Sequence, residues 1–391
     1  MKILHVTDAY LPKQGGIEVQ VRDLATRQIE AGHRVEVMTC APPPGAARWW
    51  TWTAGARPHP DPPAVPAEAG PLVHRTGVPW PHVARSAAML AHLLRESRPD
   101  VVHVHLSVLS PLGILAVRAA ARQRVPVVVT LHSLWWWATA LYRAADRLRG
   151  WGSWPVAWTA VSDLAAEPLR LILRERAEVT LMPNGVDPLD WATEPLARED
   201  SEVVVVSVMR LALRKRPRAL LNVVRQVRSR LPEGVGLRVV VVGDGPQRRA
   251  LTRRLRRYGL TDCVELVGRL DHEAIRQLYR RADLYLAPAT LESFGIAALE
   301  ARCAGLPVVA RRRTGIADFV VQGRHGLLAD SDQGLVEAVL TLARSPQLRA
   351  EMAARNRAVG PQTGWAEVLQ HCALAYKMAA ELALPEPPGS A

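Results

Sequence analysis

The chain has 391 residues, 49% of them hydrophobic and 22% charged, which excludes a disordered or fibrous protein and allows two ordinary domains, each with its own core. The formal net charge is +13, but the basic residues, nearly all arginine, are spread through every segment and match no nucleic-acid module, which argues against a nucleic-acid partner. An anionic membrane surface or a phosphorylated substrate suits that charge better.

In chain order, the N-terminus MKILHVTDAY reads as a first strand, Ile3–Val6, and not as a signal peptide. Gly15 and Gly16 follow it, and a helix is expected to open near Ile17. Glycines at a strand-to-helix turn let the backbone approach a ligand, and the helix N-terminus favours an anion; a plain tight turn explains them equally well. Further strands are expected at Val35–Met38, Val101–His105, Val125–Leu131 and Ala157–Val161. Pro42–Pro71, dense in proline and without a usable period, reads as a long loop. His103 and His105 alternate with Val104 inside a strand and read as structural. His132 falls directly past a buried strand, where both a packing role and a functional one are open. Leu134–Trp158 mixes tryptophans with Arg143, Arg147 and Arg149, a pattern fitting either aromatic packing or docking on an anionic leaflet.

The apolar period lapses over Asp187–Ser201, so the expected division is 1–195 and 196–363. The second half repeats the alternation, with strands at Val203–Val208, Leu237–Val242, Val264–Val267, Leu284–Ala287 and Pro307–Ala310, and a last amphipathic helix over Gly364–Leu384. Apolar strands separated by helices in two series predict an α/β protein with two doubly wound, Rossmann-like parallel-sheet domains. Such sheets bind ligands beyond the carboxyl ends of their strands, so the expected site is a cleft between the two.

Arg210 and Lys215 follow a strand and are suited to a diphosphate, Arg as a planar fork and Lys as a point charge; a solvated basic loop is the alternative. Gly243-Asp-Gly245-Pro246 resembles a dinucleotide fingerprint, but Arg248 stands where its third glycine belongs; Gly243 is instead expected to shape the site wall. In Leu291-Glu-Ser-Phe-Gly-Ile-Ala-Ala-Leu-Glu300 a helix is expected to start near Gly295, with Glu292 in the loop before it and Glu300 inside it. The amides of Phe294, Gly295 and Ile296 then face the ligand. A helical separation of about 12 Å is long for a catalytic carboxylate dyad and suits two holds on one elongated, hydroxyl-bearing ligand.

Taken together, several pieces resemble the family 4 glycosyltransferases, retaining enzymes of the GT-B fold. They are Gly15-Gly16 with Gly32-His33, Thr130-Leu-His132, Pro183-Asn-Gly-Val-Asp187, Arg210 with Lys215, Val242-Gly-Asp-Gly-Pro246, Val267-Gly268 and Glu292 through Gly305. The resemblance implies that 1–195 binds the acceptor, that 196–363 binds a nucleotide sugar, and that the final helix, 364–384, returns to the first domain. It implies further that Glu300 holds the ribose, that Glu292 and His132 attend the transferring sugar, and that Arg210 and Lys215 bind the diphosphate. Gly16, Gly243 and the amides of Ser293 through Ile296 assist them, while Val267 and Gly268 meet the base. A nucleoside diphosphate sugar is then a co-substrate, no cofactor or metal is required, and the acceptor is a hydroxyl; the leaflet-docking reading of Leu134–Trp158 adds the expectation that it is lipid-linked or otherwise amphiphilic. The expected location is cytoplasmic, peripheral on the inner face of the membrane. A nucleotide-sugar 2-epimerase-like enzyme, with Asp8 and Glu18 as acid/base candidates, and a non-catalytic nucleotide-sugar binder are the alternatives. The chain departs from the family at Thr314-Gly315 and Asp318, where Gly-Gly and a glutamate are usual, and this leaves the sugar open.

Overall fold

Continuous β-branched runs become buried parallel strands in the computed structural model, which describes residues 1–12, 15–43, 70–76, 83–174, 176–196 and 202–384. Lys13, most of the proline-rich stretch and part of the boundary segment lie outside the described residues. The chain divides into two compact units.

The first unit contains β1 (Lys2–Thr7), α1 (Gly16–Glu30), β2 (Arg34–Thr39), β3 (Leu72–Arg75), α2 (Val83–Glu96), β4 (Val101–Leu106), α3 (Pro111–Arg122), β5 (Val127–Leu131), α4 (Thr139–Arg149), β6 (Val156–Ala160), α5 (Asp163–Leu173) and β7 (Val179–Leu181). Its strands pair in the order β3-β2-β1-β4-β5-β6-β7, all parallel. Every residue of β4, β5 and β6 is buried, as strands covered on both faces by helices must be.

The second unit contains α6 (Pro188–Trp191), β8 (Glu202–Val208), α7 (Pro217–Arg228), β9 (Gly236–Val242), α8 (Arg248–Tyr258), β10 (Val264–Gly268), α9 (His272–Tyr279), β11 (Leu284–Ala287), α10 (Ile296–Cys303), β12 (Val308–Arg311), β13 (Gly326–Ala329), α11 (Asp332–Arg344) and α12 (Pro346–Ala358). Its sheet runs β10-β9-β8-β11-β12-β13, again all parallel. The last helix, α13 (Trp365–Ala383), belongs to the first unit. There Cys372, Ala375 and Tyr376 join Ile3, Val21, Val128 and Ala157 in one core. The chain changes unit between Gly185 and Val186, earlier than the sequence boundary at 195. The reason is packing: Trp191 lies against the rings of His272 and Tyr279, at centroid distances of 3.9 and 5.8 Å.

Three strands are absent from the sequence reading: β3, β7 and β13. All three are sheet edges, and β3 and β7 are short and partly exposed, so they lack the continuous apolar run that announces a central strand.

Candidate active site

In the second unit the strand order reverses at β8, with β9 on one side and β11 on the other. Loops leaving two such strands diverge and open a crevice beyond their carboxyl ends. The loop after β8 carries Arg210 and Lys215, and the loop after β11 carries Glu292. They meet there: Lys215 Nζ donates to Glu292 Oε2, and the two side chains are only 21% and 16% exposed. Lys215 ends a short 3₁₀ turn, Leu213–Lys215. Its neighbour Arg216 forks onto Asp332 at 2.8 and 2.7 Å and reaches Pro288 O at 3.2 Å. Arg216 therefore braces the basic loop against the first turn of α11 and the start of the β11 loop, a role that nothing in the run of arginines signals. Arg210 is exposed in the same loop.

Gly295 caps α10 with φ +96°, a left-handed conformation open to glycine, and a Cβ there would sit 2.5 Å from Ile316 Cγ1. The turn leaves the amides of Phe294, Gly295 and Ile296 without an acceptor among the described residues, so their partial positive charge lies beside Glu292 and Lys215. Phe294 anchors the turn, buried against Phe319. The loop after β12 lies directly on this backbone: Gly315 N–H donates to Glu292 O at 2.9 Å, and a Cβ on Gly315 would fall 2.1 Å from Ser293 O. Glu300 is half-buried one turn into α10. Burial raises the Tyr285 phenol, and the charges of Glu292 and Glu300 push it the same way; Tyr285 Oη donates to Val208 O at 3.0 Å.

Beyond β9 and β10, Gly243 N–H donates to Gly268 O at 2.6 Å. Gly243 has φ +123°, and any Cβ would meet Met209 O at 2.0 Å, so two loops are threaded past each other there. The register of β10 slips between Leu266 and Gly268, at Val267. Arg248 reaches back to donate to Leu266 O at 2.9 Å, while its Nη1 is buried without a partner among the described residues. The residue that spoils the dinucleotide fingerprint thus covers the end of β10, a placement the sequence reading does not contain.

In the first unit the order reverses at β1 and β4. Gly16 opens α1 there. Asp8 accepts from the amides of Leu112 and Gly113 at 3.1 Å each, capping α3; burial pushes its carboxyl up to about 6. Glu18 is buried in the first turn of α1. Gln20 holds the backbone of Gly185 by both its N–H and its C=O, at 2.9 Å each.

His132 is buried just past β5, its N–H on Leu106 O at 2.9 Å. Burial depresses its imidazole to about 4, opposed by a hydrogen bond to Asn184. Its Nε2 meets His105 Nδ1 at 3.0 Å, His105 Nε2 meets His5 Nδ1 at 2.9 Å, and His5 Nε2 meets Gln28 Oε1 at 2.7 Å. Gln28 continues to Tyr376 and thence to His103. The ring atoms of His5, His103 and His105 approach within 4.8 Å, as metal ligands do, but each of their nitrogens is already in a hydrogen bond. His103 and His105 are structural, as the sequence suggests, but they are also linked to His132. The available signal was their i, i+2 spacing, which puts both on one face of β4; His5 and His103 are register partners across β1 and β4.

The structure thus groups Lys215, Glu292 and Ser293 through Ile296 in the second unit, with Arg210 in the same basic loop, and pairs Gly243 with Gly268. His132 and Gly16 stand in the first. Among known proteins, the chain matches the family described as Glycosyl transferases group 1 over residues 192–359 and that described as Glycosyltransferase Family 4 over residues 14–188. It is 29% identical to D-inositol 3-phosphate glycosyltransferase 2 of Catenulispora acidiphila, over 94% of this chain and 91% of that one. It is 28% identical to a phosphatidylinositol N-acetylglucosaminyltransferase component of Homo sapiens, over 86% of this chain and 67% of the other. The fold is that of Anabaena Alr3699/HepE, solved with UDP and glucose: TM-score 0.72 at 20% identity, over 96% of this chain and 99% of that one. Two Rossmann-like parallel sheets, a crevice at the switch point of the second and family matches over both halves lead to one conclusion: the chain belongs to the group 1 glycosyltransferases of the GT-B fold.

Proposed function

We propose that the chain is a retaining hexosyltransferase that moves a sugar from a nucleoside diphosphate to a hydroxyl acceptor without a bound metal. The observation that carries this reading is the Lys215–Glu292 pair at the β8/β11 crevice, beside the unpartnered amides at the start of α10. As the sugar–phosphate bond breaks, negative charge grows on the diphosphate; Arg210, Lys215 and those amides are the groups suited to stabilise it. The acceptor oxygen bonds to the sugar carbon on the face the diphosphate leaves, and the hydroxyl proton passes to the departing phosphate oxygen. Glu300 holds the ribose and Glu292 the sugar. His132 contributes a contact to the sugar. The test is release of free nucleoside diphosphate from a panel of nucleotide sugars, with and without chelator; release that stops with chelator overturns metal independence, and an epimerised donor without glycoside overturns transfer.

For the acceptor we infer an amphiphilic molecule at an anionic membrane surface on the cytoplasmic side. Supporting this, Trp137, Leu141 and Leu148 are 71%, 68% and 84% exposed, the two leucines two helical turns apart on α4. Arg143, Arg147 and Arg149 accompany them, and repulsion from Arg147 above all lowers the Arg174 guanidinium. Apolar side chains ringed by cations suit an anionic leaflet. An apolar pocket lined by Trp135, Trp151, Trp154 and Trp158 lies in the same unit. The names of the Catenulispora and human relatives both contain a phosphorylated inositol, so phosphatidylinositol vesicles belong in the acceptor panel. Equal sedimentation with anionic and neutral vesicles removes the membrane from this reading.

A further inference from the structure

One guanidinium ties together the loops that carry Lys215 and Glu292. Arg216 follows Lys215 directly, so whatever holds its side chain holds the basic loop. Its fork closes on Asp332, Nη1 to Oδ1 at 2.8 Å and Nη2 to Oδ2 at 2.7 Å, a bidentate geometry that fixes direction as well as distance. The same Nη1 donates to Pro288 O at 3.2 Å, in the loop after β11 that leads to Glu292. Asp332, in the first turn of α11, is held from a further side: Arg311, at the end of β12, donates to its Oδ1 at 3.3 Å and to Asp330 O. The loops leaving β8, β11 and β13 and the end of β12 are thus joined by one Arg–Asp–Arg network. The Arg216 and Asp332 side chains are 29% and 41% exposed, so their pairing adds little to global stability and its effect is local.

The backbone at Arg216 points the same way. Its φ of +54° and ψ of +45° are left-handed, which residues with a Cβ resist, and Pro217 after it pushes the preceding residue towards extended angles. Among the described residues Arg98, Arg124 and Arg174 also have positive φ, but each lies within two residues past the end of a helix, where that conformation is an ordinary stop. Arg216 stands before a helix, at the N-cap of α7, and its side chain makes no cap hydrogen bond. Glycine would make that turn without strain; what arginine adds is the fork. Such strain persists where the surroundings over-determine it, and here they are Asp332 and Pro288 O. We propose that the Arg216–Asp332 clamp positions Lys215 against Glu292, fixing the reach of the lysine across the crevice. Arg216 and Asp332 are then positioning residues: they touch no substrate and act through Lys215. The clamp stands on its hydrogen bonds; its effect on turnover rests on the reading of Lys215 as the counter-charge to the diphosphate.

The sequence has four lysines, Lys2, Lys13, Lys215 and Lys377, so reductive ¹³C-methylation of the full chain labels few side chains and keeps their charge; Lys215→Ala identifies the Lys215 signal. Arg216→Gly keeps the turn and removes the fork, and Asp332→Asn keeps the shape and removes the charge, so the clamp is cut from either end should one variant not fold. A displaced Lys215 signal is expected in each; an unaltered signal overturns the proposal. On unlabelled protein with the best donor of the panel, each variant is expected to lose about tenfold in kcat, with a urea midpoint near that of the unsubstituted chain; full kcat in both overturns the proposal. In a Lys215→Ala background the same substitutions are expected to cost less than about threefold, because the residue they act through is gone. A full tenfold loss there overturns the proposal, and so does a loss in Arg216→Gly that Asp332→Asn does not share, which would make Arg216 itself a ligand contact. If no donor supports transfer, the functional reading fails by itself, and the Lys215 signal still decides the clamp.

Discussion

Lys215 and Glu292 show how a single pair concentrates the chemistry. Each is held by the other at a crevice rich in backbone N–H groups, so removing the lysine leaves its carboxylate unpaired where the proposed diphosphate would bind. Lys215→Ala is expected to lower kcat by about 10²–10³, the scale of one lost transition-state donor, and to weaken nucleoside diphosphate binding by calorimetry; an unaffected rate removes Lys215 from the site. Glu300→Ala is expected to act on binding instead. Donor KM should rise by the equivalent of about 1.5–3 kcal/mol, the worth of hydrogen bonds to a charged group, with kcat at saturating donor nearly kept. Gly295 is a different kind of site residue. A methyl group there meets both a φ of +96° and Ile316 Cγ1 at 2.5 Å, so Gly295→Ala is expected to cost about 1–3 kcal/mol in urea unfolding and to misplace the three amides it presents.

At the scale of elements, what matters is how loops are held rather than where helices run. Gln20, on α1, grips Gly185 by two hydrogen bonds and is nearly buried, while a Cβ on Gly185 would lie 2.5 Å from the Trp365 ring. The segment bearing Asn184 is thereby clamped between α1 and α13. Gln20→Ala leaves a buried N–H and C=O unpaired, and a loss of about 2–4 kcal/mol is expected, read as a lower urea midpoint at unchanged m-value. The switch-point loops were foreseeable from strand order and glycine placement. Their braces, Arg216 to Asp332 and Arg248 to Leu266 O, were not, because a side chain that closes on a residue from another element leaves no local trace.

The whole molecule carries the imidazoles as a pH dependence. In the unfolded chain they take up protons below about pH 6.5, whereas burial holds folded His5 and His132 neutral to about 4 and depresses His103 and His105 well below the ordinary imidazole value. Below 6.5 the unfolded state binds more protons, so stability is full above that value and is lost as pH falls towards 4. The loss is about 1.4 kcal/mol per pH unit per imidazole. Asp8 works with the opposite sign: its folded carboxyl keeps a proton to about 6 against an ordinary 3.8, so it favours the folded state as pH falls through that window and offsets part of the loss. Acid unfolding between about pH 6 and 4 that is shallower in His5→Phe than in the unsubstituted chain is the expected result; equal slopes would mean the imidazoles are not protonated on unfolding there.

Local pattern alone determined the two-sheet α/β architecture, the central strands, and the stretches bearing Lys215, Glu292 and His132, because buried parallel strands need continuous apolar runs and their ligands follow strand ends. The edge strands β3 and β7 escaped it, since a partly exposed strand need not be apolar throughout. Tertiary structure decided the rest. It returned α13 to the first unit, so that Tyr376 reaches Gln28 and His103, and it set His5 beside His103 by strand register. Thus two histidines that read as packing became the backing of a third. A hydrogen-bond chain that runs from β4 through α13 and α1 to β5 exists only where the folded backbone brings its members together; its order in space bears no relation to its order in sequence.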